Sequence, residues 1–123
     1  MMGIGAMESS DPLYFGMVGN NGKSCGNRAM NEADMIIMAG ARAADRSISL
    51  ITENKTFVHI DVDPAEIGKN AGPEIPLVGD LSSVFDKFLE QEGGEGYGDW
   101  LSLLSDYRRE EEEREEERLQ KRL

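Results

Sequence analysis

Three short apolar runs, each closed by a residue that stops a strand, constrain the fold of this chain more than any other feature. The first is Met35-Ile36-Ile37-Met38-Ala39, held between Asp34 and Gly40. A run this short and apolar reads as a strand buried on both faces. The second extends from Thr56 to Pro64, and Pro64 ends it because proline offers no amide hydrogen to a ladder. The third, Ile75 to Asp80, is shorter. Strands separated by helical or irregular crossovers and closed by Gly or Asp indicate a parallel sheet. The expected class is therefore α/β: a partial doubly wound, Rossmann-like parallel sheet with flanking helices, followed by a charged C-terminal linker helix. A doubly wound sheet has about five or six strands. With three legible, the chain reads as the second half of such a domain.

The segments between the strands support this. Residues 1–23 are glycine-rich (Gly3, Gly5, Gly16, Gly19, Gly22) and read as loop and turn, an odd opening for a free-standing domain. The expectation is that the natural chain begins earlier. Residues 24–33 read as a short helix with Ser24 as N-cap. Asp80 can cap a helix from Leu81 to about Gln91, on which Leu81, Val84, Phe85, Phe88 and Leu89 share one face. Gly93–Gly98 is a linker by composition. The expected division is residues 1–92 as a partial domain and 93–123 as linker plus helix. In the latter, Asp99 is the expected N-cap, and Trp100, Leu101, Leu103, Leu104 and Tyr107 form an apolar face. Beyond Tyr107 the pattern is that of a solvated helix with acid–base pairs such as Glu110–Arg114 and Glu117–Lys121, without a heptad seam.

Charge narrows the function classes. The net charge is −11, from 13 basic and 24 acidic residues. Six basic and seven acidic residues between Tyr107 and Leu123 leave the tail nearly neutral, so almost all of the negative charge falls on residues 1–106. Nucleic acid and anionic membrane surfaces would repel such a chain. No apolar stretch approaches the ~20 residues of a membrane span, and the start lacks a signal-peptide pattern. A single cysteine, Cys25, suits a reducing compartment, and the expected location is cytoplasmic.

Three places can carry chemistry. In an open parallel sheet, ligands bind beyond the carboxyl ends of the strands. There, Gly40 lets the backbone approach a phosphate, and Arg42 and Arg46 follow within six residues. Arg42 supplies a forked, permanently charged donor for phosphate or carboxylate; the other reading is a loop whose arginines pair with acids such as Asp45. Asp61 and Asp63 alternate on one side of the second strand near its end, either as partners for ribose hydroxyls or as caps for the following turn. Gly19-Asn20-Asn21-Gly22-Lys23-Ser24 misses the Walker spacing, because position 17 is Met17, yet a glycine-rich turn opening a helix can offer amides to a phosphate or a flavin edge. His59 reads as a satisfied core or edge histidine rather than a ligand or a base, and with no Cys or His companion it is not a zinc ligand. Cys25 reads as small packing. Asn54-Lys55-Thr56 matches a glycosylation sequon by chance.

In order, Gly3-Ile4-Gly5-Ala6, Pro12 to Gly19, Asn31-Glu32-Ala33-Asp34, Gly40-Ala41-Arg42, Asp45-Arg46 and His59 to Asn70 closely resemble the central domain of the acetolactate synthase (acetohydroxyacid synthase) large subunits, thiamine-diphosphate-dependent enzymes. The resemblance runs from Met1 to about Gln91, and the tail around Trp100 resembles the family's linker helix. It implies a three-domain enzyme whose thiamine diphosphate, activating glutamate and Mg²⁺ site lie in other domains of the same polypeptide. No catalytic or metal residue is then expected in this chain. It implies 2-keto acid substrates, joined through a hydroxyethyl carbanion made from pyruvate, at the opening of branched-chain amino-acid biosynthesis. It implies a homo-oligomer, and FAD held by the middle domain. Carried over by position, Gly40, Ala41 and Arg42 match the flavin-binding turn, and Gly19 and Gly22 match the loop beside the flavin. Asp61 and Val62 match the adenosine-binding strand end. Gly79 and Asp80 match a further adenine-side contact, and Arg46 an arginine of the substrate channel.

Two departures bear on the ligand. The family's Gly-Met-His-Gly is replaced by Gly19-Asn20-Asn21-Gly22, and its Arg-Phe-Asp-Asp-Arg by Arg42-Ala43-Ala44-Asp45-Arg46. An aromatic residue and an acid are lost beside the flavin, so the alternatives to FAD are another adenine nucleotide or no nucleotide. Two functions stay open: a fragment of a thiamine-dependent carboligase, inactive alone, or a non-catalytic adenine-nucleotide-binding module.

Overall fold

The computed structural model describes residues 5–19, 24–41, 54–67, 74–94 and 96–123. The chain divides into two compact units, Ala33–Gly94 and, from the two ends of the sequence, Met1–Glu32 with Glu95–Leu123.

The unit Ala33–Gly94 holds a three-stranded parallel sheet in the order β1-β2-β3, formed by β1 (Met35–Ala39), β2 (Thr56–Asp61) and β3 (Glu74–Val78). This is the α/β class expected from the three apolar runs. Pro76 pairs with His59, which is possible because β3 is an edge strand and its missing N–H need not enter a second ladder. β2, in the middle, carries the core: Phe57, Val58, His59, Ile60 and Asp61 are all buried.

The boundaries and burial differ from expectation in three ways. β2 ends at Asp61, three residues before Pro64. The Asp61 carboxylate accepts the N–H of Asp63 (2.9 Å) and turns the chain out of the ladder before proline can act. β3 ends at Val78, because Asp80 leaves the strand to cap the next helix. β1 buries one face rather than two, since Ile36 is buried while Met35 and Ile37 are about half exposed. A parallel strand is covered on both faces only where helices lie on both sides of the sheet. The described residues do not supply that layer over Met35 and Ile37.

Helix α2 (Leu81–Leu89) follows β3, α1 (Ser24–Glu32) belonging to the other unit. Asp80 is its N-cap, with Oδ2 accepting from the Ser83 N–H (3.2 Å) and the Ser83 hydroxyl (3.1 Å). Val84 packs against Gly79, and Phe85 and Phe88 touch each other with ring centroids 6.2 Å apart. The helix stops two residues before Gln91, where the Gln91 N–H turns back to the Phe88 carbonyl (3.1 Å).

The other unit holds α1 (Ser24–Glu32) and α3 (Gly98–Arg122), which pack together. Gly26 in α1 lies so close to the Phe15 carbonyl and Val18 that a Cβ there would stand 3.1 Å from each. Helix α3 starts at Gly98 with Tyr97 as N-cap and no side-chain capping bond. The expected cap, Asp99, sits inside the first turn, where its charge favours the positive end of the helix dipole. The expected apolar face is only partly buried. Leu104 is the buried residue, Leu101 and Leu103 are exposed, and the half-buried stripe continues through Tyr107, Arg108 and Glu111. From Glu112 onward every residue is exposed.

Candidate functional site

The parallel register brings the carboxyl ends of the three strands level. The Gly40 N–H donates to the Ile60 carbonyl (2.8 Å), and the Gly79 N–H donates to the next carbonyl of β2, that of Asp61 (2.9 Å). Gly40 and Gly79 therefore flank the end of β2 on either side. With strands about 4.8 Å apart, the pair stands about 10 Å across, on the scale of a nucleoside.

Gly40 has φ +66°, which an L side chain adopts at a cost, and a Cβ there would meet Leu81 Cδ1 at 2.9 Å. Both facts call for glycine. The turn that follows is tied to the sheet by His59. Its ring is fully buried beside Phe57, and Nε2 lies 3.0 Å from the Ala41 carbonyl oxygen. A carbonyl only accepts, so Nε2 carries the proton in this contact. His59 is a buried core histidine, and the partner of its Nε2 is a backbone atom of the candidate site. The periodicity of β2 could have hinted at this: one polar ring stands between Val58 and Ile60 in a buried run.

At the end of β2, Asp61 is nearly buried. Oδ1 accepts from the Asp63 N–H, and Oδ2 lies 3.9 Å from His59 Nε2. Asp63 repeats the motif on the Ala65 N–H (2.9 Å) and is itself exposed. The two acids thus act as turn caps, one of the two roles open from sequence. Asp61 Oδ2 remains at the strand end as an acceptor suited to a hydroxyl donor. Val62 is exposed next to it. Asp80 is committed to capping α2, so from this segment Gly79 offers backbone rather than charge. Of the expected site residues, Gly40, Ala41, Asp61, Val62, Gly79 and Asp80 are thereby brought to one edge of one sheet. Gly22, Arg42 and Arg46 lie outside the described residues, as do Asn20, Asn21, Ala43 and Ala44.

Gly19 belongs to the other unit, where Asn27 clasps it from both sides. The Gly19 N–H donates to Asn27 Oδ1 (2.8 Å), and Asn27 Nδ2 donates to the Gly19 carbonyl (3.0 Å). The opening amides of α1, a candidate anion contact from sequence, are engaged by a carboxylate from α3: Glu111 accepts from the Ser24 N–H (2.7 Å) and the Cys25 N–H (3.2 Å). Cys25 is buried, its thiol directed at the Phe15 carbonyl (3.4 Å). Burial and the neighbouring Glu111 push that thiol up to about 11. The Arg28 guanidinium lies 3.5 Å from the centre of the Tyr107 ring and pairs with Glu110 (3.1 Å). Hydrogen bonding to Glu110 raises Arg28 further above its ordinary value. Tyr107 donates to Glu32 (2.6 Å), which raises the phenol above its ordinary range.

Among the described residues, no three His, Cys, Asp or Glu side chains group as a metal site, and no helix is long and apolar enough to cross a membrane.

Residues 1–88 match the family described as thiamine pyrophosphate enzyme, central domain. The chain belongs to this family. Its relatives include a probable acetolactate synthase large subunit of Methanococcus aeolicus, 38% identical over 94 residues, which are 74% of this chain and 16% of the relative. The acetolactate synthase large subunit of Haemophilus influenzae is 38% identical over 108 residues, 85% of this chain and 19% of the relative. That of Lactococcus lactis is 33% identical over 109 residues, again 85% and 19%. The chain thus spans less than one-fifth of the length of these relatives, and thiamine diphosphate is the cofactor that the family's description names.

Proposed function

We propose that this chain supplies the adenine-nucleotide-binding part of a thiamine-diphosphate-dependent carboligase of the acetolactate synthase type. The reaction joins two pyruvates into 2-acetolactate and CO₂, at the opening of branched-chain amino-acid biosynthesis. The observation that carries the reading is the level placement of Gly40, Asp61 and Gly79 at the carboxyl ends of three parallel strands, where α/β sheets bind their ligands. The residues fit an adenosine: Asp61 Oδ2 accepts from a ribose hydroxyl, Val62 offers an apolar surface to the base, and the Gly79 and Gly40–Ala41 backbone allows close approach. Arg42 supplies the cationic fork toward phosphate, and Arg46 faces the second keto acid. FAD is the proposed occupant, with another adenine nucleotide as the alternative.

Thiamine diphosphate supplies the carbanion chemistry, and its activating glutamate and Mg²⁺ are assigned to other domains of the complete polypeptide, a homo-oligomer of the cytoplasm. The role of this chain is to hold the nucleotide and to present Arg46.

The test has two arms. FAD and ADP are titrated into the chain while its melting temperature is followed, because a ligand that binds only the folded state raises it. The complete reading frame is assayed for acetolactate from pyruvate with thiamine diphosphate and Mg²⁺. Binding and product together support the proposal. Binding with no product assigns a non-catalytic nucleotide module instead, and neither binding nor product overturns both readings.

A further inference from the structure

We infer that His59 is a positioning residue for the nucleotide site: through its Nε2–H it holds the Ala41 carbonyl and thereby sets the turn Gly40-Ala41 that approaches the ligand. The inference rests on the nucleotide-binding reading above. His59 sits inside β2, wholly buried, with its ring 5.7 Å from that of Phe57, centroid to centroid. A polar ring in such a place needs a hydrogen bond. The bond goes not to the neighbouring strand but to the first carbonyl beyond the Gly40 turn, at 3.0 Å.

The geometry explains why this point needs holding. The β1–β2 pairing ends with Ala39 opposite Ile60, and the Gly40 N–H takes the next β2 carbonyl contact. After Gly40 the chain turns with positive φ, and Ala41 is already exposed. Among the described residues the β1–β2 ladder ends before Ala41, and His59 Nε2 is the contact to its carbonyl. A rigid imidazole anchored in the core fixes that carbonyl, and with it the Gly40-Ala41 turn. Asp61 Oδ2, 3.9 Å from the same nitrogen, faces His59 from the other candidate contact. One buried ring therefore adjoins both the phosphate-side turn and the ribose-side acid.

The experiment compares wild type, His59→Phe and His59→Gln in the full chain. Phenylalanine keeps the ring packing and removes the donor, while glutamine restores an N–H donor at about the same reach. The carbonyl-carbon chemical shift of Ala41 is read by NMR in the absence of ligand, and dissociation constants for FAD and ADP are read by calorimetry. Loss of one net hydrogen bond corresponds to about three- to tenfold. The expected result is an upfield move of the Ala41 carbonyl carbon in His59→Phe, together with nucleotide binding weaker by that factor, and both largely recovered in His59→Gln. An Ala41 carbonyl shift equal in all three proteins overturns the inference. So does nucleotide affinity that falls equally in both variants, or that stays at the wild-type value in His59→Phe. If wild type binds neither nucleotide while the Ala41 carbonyl shift still follows the Phe and Gln pattern, the nucleotide reading fails and the positioning of the turn by His59 stands. Should His59→Phe fail to fold, His59→Gln must still match wild type in carbonyl shift and affinity for the inference to survive.

Discussion

Glu111 Oε1 lies 2.7 Å from the backbone nitrogen of Ser24, a contact between residues 87 positions apart in the chain. Oε2 reaches the Cys25 nitrogen, so one carboxylate from α3 takes two of the amides that open α1. Those amides have no partners within their own helix, and they carry the positive end of its dipole. Glu111 therefore acts as a long-range helix cap. It places a charge-assisted interaction where a local Ser, Thr or Asp would ordinarily stand.

Replacing Glu111 with Ala should destabilise the α1–α3 unit by about 1 kcal/mol, the usual cost of a lost N-cap. Glu111→Gln keeps one acceptor and should lose less. Added salt should weaken the wild-type contact and leave Glu111→Ala unaffected, since the interaction is with a partial charge near the surface. Urea denaturation followed by circular dichroism at low and high salt checks this. An Ala variant as stable as wild type at low salt would show that water caps α1 equally well.

The Cys25 thiol is pushed up to about 11 by burial and then by Glu111, from an ordinary value of 9.0. Below pH 9 the thiol is protonated whether folded or not, and the stabilising effect of its protonation is complete. Between pH 9 and about 11 the unfolded chain gives up the proton while the folded chain keeps it, so stability falls as pH rises through that window. Alkylation by iodoacetamide at pH 8 should accordingly be much slower than for a free thiol, and faster in Glu111→Gln. Rates measured from pH 7 to 11 check both. A native-state rate matching that of a model thiol at pH 8 would remove the shift.

The strands were legible in the sequence because each combines an apolar run with a local stop signal, and both act over a few residues. Their ends were less legible. Pro64 and Asp80 are strong signals, but Asp61 diverts β2 first, through a side-chain bond to Asp63 that competes with the ladder. The docking of α3 could not be read at all. Its contacts pair Arg28 with Tyr107 and Glu110, Tyr107 with Glu32, and Arg108 with the Tyr14 carbonyl and the Phe15 ring. Along the chain the same residues present a run of charges whose visible partners are the i,i+4 neighbours. One such pair, Glu110–Arg114, does form at 3.5 Å, yet Glu110 also faces Arg28 from another helix. For the candidate site, residue types at the strand ends were enough to name Gly40 and Asp61, whereas Gly79 was named only through the family resemblance. The His59–Ala41 bond was not visible, because it depends on which β2 side chain reaches back to the neighbouring turn.

Asp80 should behave as a cap before anything else. Asp80→Ala removes the acceptor for both the Ser83 N–H and its hydroxyl, at a cost of about 1 kcal/mol. Asp80→Asn should be nearly neutral for stability, because asparagine caps helices about as well. Thermal melts of the two variants check the cap. Adenine-nucleotide affinity in Asp80→Asn then shows whether the carboxylate charge does anything more. Affinity unchanged in Asn and reduced in Ala would assign Asp80 to holding α2 alone.

Gly40 carries two separate demands, and a pair of substitutions separates them. Its φ of +66° disfavours any L side chain, a backbone cost of about 1–2 kcal/mol for alanine. Its approach to Leu81 adds a second cost, because a Cβ would stand 2.9 Å from Leu81 Cδ1. That atom is the end of a flexible side chain, so the second cost is the smaller one. Gly40→Ala should therefore destabilise the sheet unit in the wild-type background, and destabilise it somewhat less in a Leu81→Ala background, where only the backbone cost remains. Gly40→Asn in that background should be milder again, since asparagine tolerates positive φ. Denaturation of the three variants and of their two parents, wild type and Leu81→Ala, gives the coupling directly. A Gly40→Ala cost that is the same with and without Leu81 would mean the leucine moves aside freely, and that the backbone conformation alone demands glycine at the end of β1.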